Sequence, residues 1–600
     1  MSDRKRSIFG ALLPAACLLF VMLAGLGLDS YGQYVLAIGF ISTTIGVALV
    51  LLVGFARVIT LTSGAMMALG AYGSTLLVIH LGLPYWASVI GAVLIGGLSG
   101  WILAIPGVRF RSHNLAMVTL VFQAVVMILI REARRYTGGA EGITVPPADW
   151  FGLPIKTDAD YVVMIGLGAV LATLLMAIIL RGRFGKNMRA VAANETGAEA
   201  FGIDIPRYFT AAFIISSAVI GLAGALAAPR IRIIDPDSFG VLASVFMLAY
   251  PIIGGMTSIW GGIMGGAALR LLPEVLRPVA DYQELIFAAL VIAVTMFMPG
   301  GLAELIHRAY TRLRRKAARK ADPASVPVAT PVEPAVPVAL AHGLAPALRV
   351  QAVSKRFDAL QAVDNVSFVV PSGTIHGIIG PNGAGKTSLF NIVSGFLTAD
   401  QGEIELFGEK LLGLPTRRRI GLGMSRTFQH VALFRDLSCL DNVIIGLGRN
   451  GVLQAIGQSF DDLIGGNESR AARARAQTAL DAVGLGAMSN AAAGSLPLGN
   501  QRRLEIARAI ACEPRLMLLD EPVSGLSQQE AAELRELLLR INRERGVAML
   551  VIEHNIGFVT DLCATVSVMG SGQIIAEGPA RTVIALPAVR QLYFGERAAA

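Results

Sequence analysis

The chain has 600 residues, of which 54% are hydrophobic and 16% charged, and its formal net charge at pH 7 is +9. This length exceeds what one hydrophobic core holds, so several domain-sized units are expected. The basic residues cluster at the ends of apolar segments, which is typical of membrane proteins and argues against a nucleic-acid partner. The four cysteines, Cys17, Cys439, Cys512 and Cys563, lie far apart and form no metal-binding or CxxC pattern.

The N-terminal half is apolar enough to cross a membrane repeatedly. A helix needs about 20 apolar residues to span a bilayer. Ten candidate spans lie near residues 9–28, 35–54, 59–80, 85–106, 114–131, 161–181, 208–228, 239–255, 259–276 and 285–305. The segments near 59–80 and 239–276 also fit re-entrant segments, and we expect the first span to be an anchor. With Arg4, Lys5 and Arg6 inside, the even number of spans places most basic loops on the cytoplasmic side.

Small residues and a scarcity of charge characterise these spans. Glycines recur four residues apart at Gly96 and Gly100, at Gly261 and Gly265, and at Gly262 and Gly266, a spacing that lets helices approach closely in lipid. Almost no ionisable side chain lies away from the ends of the spans, whereas an ion-coupled carrier is expected to hold one near the midplane. We therefore expect the driving energy to come from elsewhere in the chain. A neutral substrate, or one held by backbone groups and helix ends, fits this composition.

Two polar segments suggest how the chain is divided. Residues 181–202, between the sixth and seventh spans, are long enough for a short surface helix, which is either an ordinary connector or a coupling surface. A basic run from Arg312 to Lys320 is followed by a stretch rich in Pro and Ala that is typical of a semi-rigid linker. The sequence thus predicts a polytopic α-helical membrane domain over 1–310, a linker over 311–347, and an α/β P-loop domain over 348–600.

The most specific motif of the second domain is a phosphate-binding loop that matches G-x-x-x-x-G-K-[ST] at every fixed position. It lies between an apolar, β-prone segment at 374–379 and a helix-prone segment at 389–393. Glycines turn backbone N–H groups toward the phosphates, Lys386 reaches the outer phosphate oxygens, and Thr387 offers a hydroxyl to Mg²⁺. The loop comprises Gly380, Pro381, Asn382, Gly383, Ala384, Gly385, Lys386, Thr387 and Ser388, and predicts a nucleoside triphosphate and Mg²⁺ as ligands.

Further polar residues follow apolar strand-like segments. Asp520 ends the segment Leu516–Asp520 and is suited to hold Mg²⁺, while the next residue, Glu521, is placed to polarise the attacking water as a general base. His554 follows another apolar segment, 548–552, and is a candidate for the γ-phosphate. Gln429, in a loop, is a candidate for contacts with Mg²⁺, the attacking water and the membrane domain.

Taken together, these motifs resemble the ATP-binding cassette (ABC) ATPases. The loop at 380–388, Gln429, Asp520 with Glu521, and His554 match that family's Walker A, Q-loop, Walker B and H-loop in order and spacing. The resemblance implies that Phe357 stacks on adenine. More narrowly, residues 426–434, the segment QRRLEIARA and the Glu553-His554 pair resemble the ATPases of branched-chain amino acid importers. Pieces such as TGGAEGI at Thr137 and IWGGIMGGAALRLLPEVLR at Ile259 resemble the permease of the same system, although the region from Arg57 to Leu69 departs from it.

Two segments depart from the ABC pattern. Where the family has its signature LSGGQ, this chain has Leu496-Pro497-Leu498-Gly499-Asn500, and Pro497 has neither a hydroxyl nor a backbone N–H to donate. Ser527 stands in the D-loop, where an acid or amide is common. Because the family sandwiches each ATP between the P-loop of one subunit and the signature of another, any weakened site is the one whose P-loop belongs to the partner.

The resemblance implies an ATP-driven importer of branched-chain or other neutral amino acids in a bacterial cytoplasmic membrane, with its ATPase domain in the cytoplasm. It also implies a second permease and a second ATPase, from another copy or from related subunits, and an extracytoplasmic solute-binding protein. An ABC exporter and a membrane-anchored regulatory ATPase are the alternatives. Ten candidate spans instead of six argue against the exporter, and the intact Lys386 and Glu521 argue against a purely structural role.

Overall fold

The structure, a computed structural model, describes residues 3–109, 113–150, 152–298, 300–306, 346–358, 360–429, 431–448, 451–464 and 466–594. They divide into two compact units, which we call the helical unit and the α/β unit. The basic run and the linker predicted over 311–347 lie outside the described residues, except for Pro346 and Ala347. The division does not follow the chain, because residues 193–204 group with the α/β unit and Val452–Gly466 group with the helical unit.

The N-terminal half is almost entirely helical. Its helices are α1 (Asp3–Gly25), α2 (Ser30–Leu49) with a π-helical turn at Val50–Phe55, α3 (Ser63–Leu81), α4 (Tyr85–Arg109), α5 (His113–Glu132), α6 (Arg134–Thr137), α7 (Asp158–Arg181), α8 (Arg183–Ala193), α9 (Glu195–Glu199), α10 (Ile205–Ile231), α11 (Val241–Gly254), α12 (Ile259–Val275) and α13 (Gln283–Phe297). Four two-residue strands pair as β1 (Ile143–Thr144) with β4 (Ile233–Ile234) and β2 (Asp149–Trp150) with β3 (Leu153–Pro154).

Among the described residues, seven helical segments are long and apolar enough to cross a membrane, and they coincide with seven of the ten predicted spans. The other three predicted spans fall on α1, whose apolar part is Leu12–Gly25, on the 17-residue α12 and on the 15-residue α13. Helix α13 stops at Phe297, shortly before Pro299, which disfavours helical conformation in the residue before it. The chain is therefore a multi-pass membrane protein, and the count of ten spans stays a prediction.

The predicted glycine contacts are confirmed. A Cβ added to Gly96 or Gly100 on α4 would lie 2.6 Å from Ser217 O or 2.5 Å from Phe213 O on α10. On α12, Cβ atoms at Gly262 and Gly266 would lie 2.8 and 2.5 Å from backbone atoms of α2, and those at Gly261 and Gly265 would lie 1.9 and 1.8 Å from the carbonyl oxygens of Gly255 and Tyr250. Any side chain would separate these helices, so the glycines set how closely they pack.

The second half forms the α/β unit. Its helices are α14 (Lys386–Ser394), α15 (Thr416–Gly421), α16 (Cys439–Gly446), α18 (Asn467–Ala482), α19 (Leu498–Ala511), α20 (Gln528–Arg545), α21 (Ile556–Leu562), α22 (Ala580–Ile584) and α23 (Pro587–Phe594), while α17 (Val452–Ile464) belongs to the helical unit. Its strands are β5 (Leu348–Phe357), β6 (Leu360–Val370), β7 (Ile375–Ile379), β8 (Gln401–Leu406), β9 (Glu409–Lys410), β10 (Met424–Arg426), β11 (Leu516–Asp520), β12 (Ala548–Ile552), β13 (Thr565–Gly570) and β14 (Gln573–Pro579).

Two sheets organise this unit. A six-stranded sheet has the order β10-β11-β12-β7-β13-β14 and is parallel except for β14, while a four-stranded antiparallel sheet has the order β6-β5-β8-β9. Strands β7, β11 and β12 are buried along their whole length, as continuous apolar runs covered on both faces require. The predicted α/β P-loop fold is confirmed.

His376 is a buried polar exception in β7, the strand that leads into the P-loop. Its two ring nitrogens lie 2.8 Å from Thr565 Oγ1 and 2.9 Å from Ser567 Oγ, and its ring stacks on Phe368. Both hydroxyls can accept a hydrogen bond, so they do not oppose protonation. Burial alone lowers the pKa of His376 from 6.5 to about 4.

We therefore expect His376 to make the chain acid-sensitive. Because its folded pKa lies below its unfolded pKa, the unfolded state binds more protons between pH 6.5 and about 4, and stability is lost as pH falls through this window. The slope is at most about 1.4 kcal/mol per pH unit for one proton. Thermal unfolding of the full-length chain between pH 7.5 and 5 should show a smaller acid loss for His376→Asn than for the wild type. Equal losses would refute the assignment.

Candidate nucleotide-binding and hydrolysis site

The predicted site residues meet at one edge of the six-stranded sheet. Strands β11, β12 and β7 are parallel neighbours, so their carboxyl ends lie side by side. Gly380–Ser388 follows β7, Asp520 and Glu521 stand at the end of β11, and Glu553 with His554 follow β12. In open α/β sheets, ligands bind outside the carboxyl ends of the strands.

The phosphate-binding loop has the predicted strand-loop-helix setting, with Gly383 and Gly385 at positive φ angles of 83° and 95°. A Cβ at Gly385 would lie 2.1 Å from Ala362 O, so the loop needs glycine there for space as well as for conformation. Lys386 is buried and donates hydrogen bonds to Gly380 O at 2.7 Å and Pro381 O at 2.8 Å, which holds its ammonium within the loop. Burial lowers the pKa of Lys386, and the carboxylates of Glu521 and Asp520 oppose this shift. A buried lysine in a glycine-rich turn at the start of a helix fits a nucleotide phosphate.

Asp520 is held by a cation that motif reading alone does not assign. Arg426 Nη2 lies 3.0 Å from Asp520 Oδ2, and both side chains are only 6% exposed. Arg426 Nη1 also donates to Asn391 Oδ1 and Ser394 Oγ at 2.8 and 2.6 Å, on the last turn of the P-loop helix α14. Burial raises the pKa of Asp520, and the guanidinium limits the rise. One arginine therefore joins β11 to the helix that carries the phosphate loop.

The guanidinium of Arg426 is surrounded by aromatic rings. Its central carbon lies 5.1 to 5.5 Å from the ring centroids of Phe390, Phe396 and Phe428. Ring faces attract a cation, so they replace part of the hydration that burial removes. Arg426 ends the short strand β10, and nothing in its local sequence predicts this role.

Glu521 takes a strained backbone conformation at the site. Its φ angle is 45°, which is unfavourable for a residue with a side chain, and its N–H donates to Ile552 O at 2.9 Å on the neighbouring strand. Gln429 Nε2 donates to Glu521 Oε2 at 3.0 Å, and His554 Nδ1 lies 3.8 Å from the same oxygen. The three residues predicted as catalytic from separate motifs therefore meet at one carboxylate.

The remaining predicted ligands stand on α14 and β5. Thr387 is exposed at the start of α14. Phe357 ends β5 and is 44% exposed, with Lys355 Nζ 5.7 Å from its ring centroid. It pairs with Leu360 of β6, the strand whose Ala362 O contacts the P-loop at Gly385. The side chain is thus free to offer a stacking face near the phosphate loop.

The signature and D-loop departures have structural consequences. Pro497 is the N-cap of α19 and supplies no side-chain hydrogen bond, and its carbonyl accepts from Gln501 N at 2.9 Å. Ser527 caps α20, because its hydroxyl accepts from Glu530 N while Glu530 Oε2 accepts from Ser527 N at 3.0 Å. This reciprocal capping box stabilises the start of α20, which accounts for a serine at that position.

Two family matches cover the two halves of the chain. Residues 33–298 match the family described as the permease component of the branched-chain amino acid transport system, and residues 363–524 match the ABC transporter family. With the assembled nucleotide site, these matches define a membrane transporter driven by ATP hydrolysis.

Several curated proteins are similar to the second half alone. The high-affinity branched-chain amino acid transport ATP-binding proteins BraF of Pseudomonas aeruginosa and LivG of Escherichia coli strain K12 are 35% and 36% identical over 251 and 255 residues, which is 42% of this chain and 98% of each relative. The lipopolysaccharide export ATP-binding protein LptB of Acidithiobacillus ferridurans is 31% identical over 97% of its length. A solved ABC transporter cassette, MJ1267 in its ADP conformation, is 30% identical over 42% of this chain and 100% of its own, with a TM-score of 0.38.

The chain belongs to the ABC transporter family. It fuses a permease domain of the branched-chain amino acid transport type to an ABC ATPase domain, so translocation helices and ATPase are supplied by one polypeptide.

We predict that Arg426→Met destabilises the chain, since it leaves the Asp520 carboxylate buried without its cation. Breaking a buried ion pair costs about 3–5 kcal/mol, and ATP hydrolysis should fall with it. Arg475→Met is the matched control, because its ion pair with Glu513 is 54% and 74% exposed and an exposed pair contributes at most about 1 kcal/mol. Thermal unfolding and ATPase rates of both variants decide the matter, and similar behaviour of the two would contradict this role.

Proposed function

We propose that the chain imports branched-chain or other neutral amino acids across the cytoplasmic membrane of a bacterium. The observation that carries the proposal is the fusion itself: a permease of the branched-chain amino acid type and a cassette 35–36% identical to ATPases of that transport occur in one chain. The predicted scarcity of ionisable side chains within the spans supports a neutral substrate and a nucleotide energy source.

The geometry supports the following roles in hydrolysis. The Glu521 carboxylate accepts a proton from the attacking water, Gln429 orients that carboxylate and the water, and His554 donates to the γ-phosphate. Lys386 and the N–H groups of 380–388 hold the phosphates, and Phe357 stacks on adenine. The oxygen-bearing side chains of Thr387, Gln429 and Asp520 suit Mg²⁺, which when bound neutralises phosphate charge.

The chain supplies one permease and one ATPase domain, whereas ABC transporters function as dimers of such units. A second permease and a second ATPase are therefore required, from another copy or from related subunits, and an extracytoplasmic solute-binding protein would deliver the substrate. The ATP held by Gly380–Ser388 would be completed by the partner's signature. The altered segment Leu496–Asn500 would instead face the partner's ATP.

The direction of transport is the main alternative, because LptB, to which the cassette is also similar, is named for an export system. Import requires labelled amino acid to accumulate on the ATP side of a proteoliposome membrane, and export requires it to leave that side. The same assay therefore separates the two.

Glu521→Gln should lower the rate of ATP-driven uptake about 10²–10⁴-fold, which abolishes measurable uptake, because the amide cannot accept the proton. ATP binding should remain, since the amide keeps the size of the side chain. The assay uses proteoliposomes of the complete transporter with enclosed ATP and external labelled leucine and binding protein, and Glu409→Gln, at an exposed position of β9, is the control. Retained uptake in Glu521→Gln would sink the proposed mechanism.

A further inference from the structure

Residues 193–204, which connect α8 to α10 in the chain, pack within the α/β unit. Phe201 is 2% exposed and forms an apolar cluster with Ala200 and Cys512, against which Phe396 and Phe428 pack. Asp204 forms an ion pair with Arg417. A segment of the permease sequence is therefore part of the core around the Q-loop.

Beneath Phe201 lies a buried arginine, Arg508 of α19. The central carbon of its guanidinium is 4.2 Å from the centroid of the Phe201 ring and 5.1 Å from that of Phe434. Its side chain is 1% exposed, and its Nε and Nη1 have no hydrogen-bond partner among the described residues. Burial lowers the pKa of Arg508 to about 10, so it stays charged at neutral pH. The two ring faces are thus a large part of what balances the charge.

The other balancing group is Glu505, one turn earlier on α19. Arg508 Nη2 lies 3.9 Å from Glu505 Oε1, and Glu505 Oε2 lies 3.0 Å from Arg502 Nη1, so the three side chains form a ladder at i, i+3 and i+6. All three are at most 5% exposed. The members of such a buried network polarise one another, so a change at one end alters the others.

The ladder ends on the Q-loop. Arg502 donates to Phe428 O at 2.8 Å and to Gln429 O at 2.6 Å, and Glu505 Oε1 accepts from Ala432 N at 2.9 Å. The backbone of Gln429 is therefore held by α19, while its side chain donates to Glu521 Oε2. Contacts run without a break from Phe201 to the carboxylate of the site.

We propose that Phe201 is a positioning residue for ATP hydrolysis, acting through the ladder Arg508–Glu505–Arg502 on Gln429. Without the ring of Phe201, the Arg508 guanidinium pairs more strongly with Glu505. This weakens the bonds of Glu505 to Arg502 and to Ala432 N. Gln429 then loses its fixed position against Glu521. The inference rests on the roles proposed above for Glu521 and Gln429.

The test measures ATPase kinetics of the full-length chain with its co-assembled subunits in lipid nanodiscs. Phe201→Ala should lower kcat about three- to tenfold, the rate change that matches loss of a partly desolvated cation–π contact, while KM for ATP changes less than twofold. Phe201→Tyr, which keeps the ring face, should restore kcat, whereas Phe201→Leu, which fills the space without a ring, should not. Adding Phe201→Ala to Arg508→Met should lower kcat no further than Arg508→Met alone.

A matched control removes a similar contact elsewhere in the unit. Arg515 stacks on Phe407 at 3.6 Å, at the opposite end of β11 from Asp520, so Phe407→Ala should leave kcat unchanged. Equal rates for the Leu and Tyr variants at residue 201, or an unchanged kcat in Phe201→Ala, would overturn the proposal. Glu521→Gln in the same assay separates failure of the proposed catalytic site from failure of the role of Phe201. If this variant hydrolyses ATP at the wild-type rate, the catalytic assignment itself fails.

Discussion

Burial of guanidinium groups away from water is the constraint on which the α/β unit depends. As whole residues, Arg419, Arg426, Arg502 and Arg508 are each at most 5% exposed. A buried charge is tolerated only when it is paired or hydrogen-bonded. Arg419 donates to the carbonyl oxygens of Ile392 and Val393 at 2.6 and 2.7 Å, which caps the negative end of the P-loop helix. Arg426 then ties that helix to Asp520, and Arg502 ties the Q-loop to α19. The loops of the site are thus fixed by buried arginines, which need these partners because they are kept from water.

Much of this site could be predicted from the sequence, because each motif is fixed by local spacing. Gly380–Ser388 needs only its own glycines and Lys386, and Asp520 with Glu521 needs only the apolar run before it. The partners of Arg426 and Arg508 could not be predicted, since they lie 94 and 307 residues away in Asp520 and Phe201. Only folding brings such pairs together, and a lone arginine in a sequence is most often a solvated surface residue.

The two compact units do not follow the order of the chain, for a related reason. Helix α17 is amphipathic and reads as part of the ATPase, yet it packs in the helical unit, where Ser459 Oγ accepts from Phe184 N at 3.2 Å. A Cβ at Gly182 would lie 2.2 Å from Ser459 Cβ, so the close approach requires glycine at the α7–α8 corner. Residues 193–204 make the converse exchange. Composition distinguishes apolar from polar segments but cannot indicate which unit an amphipathic helix will pack against.

Helix α19 connects these observations. It starts at Pro497, in the segment that resembles the ABC signature, and carries Arg502, Glu505 and Arg508 along one face over its 14 residues. A helix of that length is about 21 Å long and behaves as a rigid rod. Since Arg502 of this helix is hydrogen-bonded to the Q-loop backbone, a shift of the helix would move both Gln429 and the signature segment. Proline at the N-cap has no N–H to donate in this segment but leaves α19 intact, so it does not loosen the hold of this helix on the chain's own Q-loop.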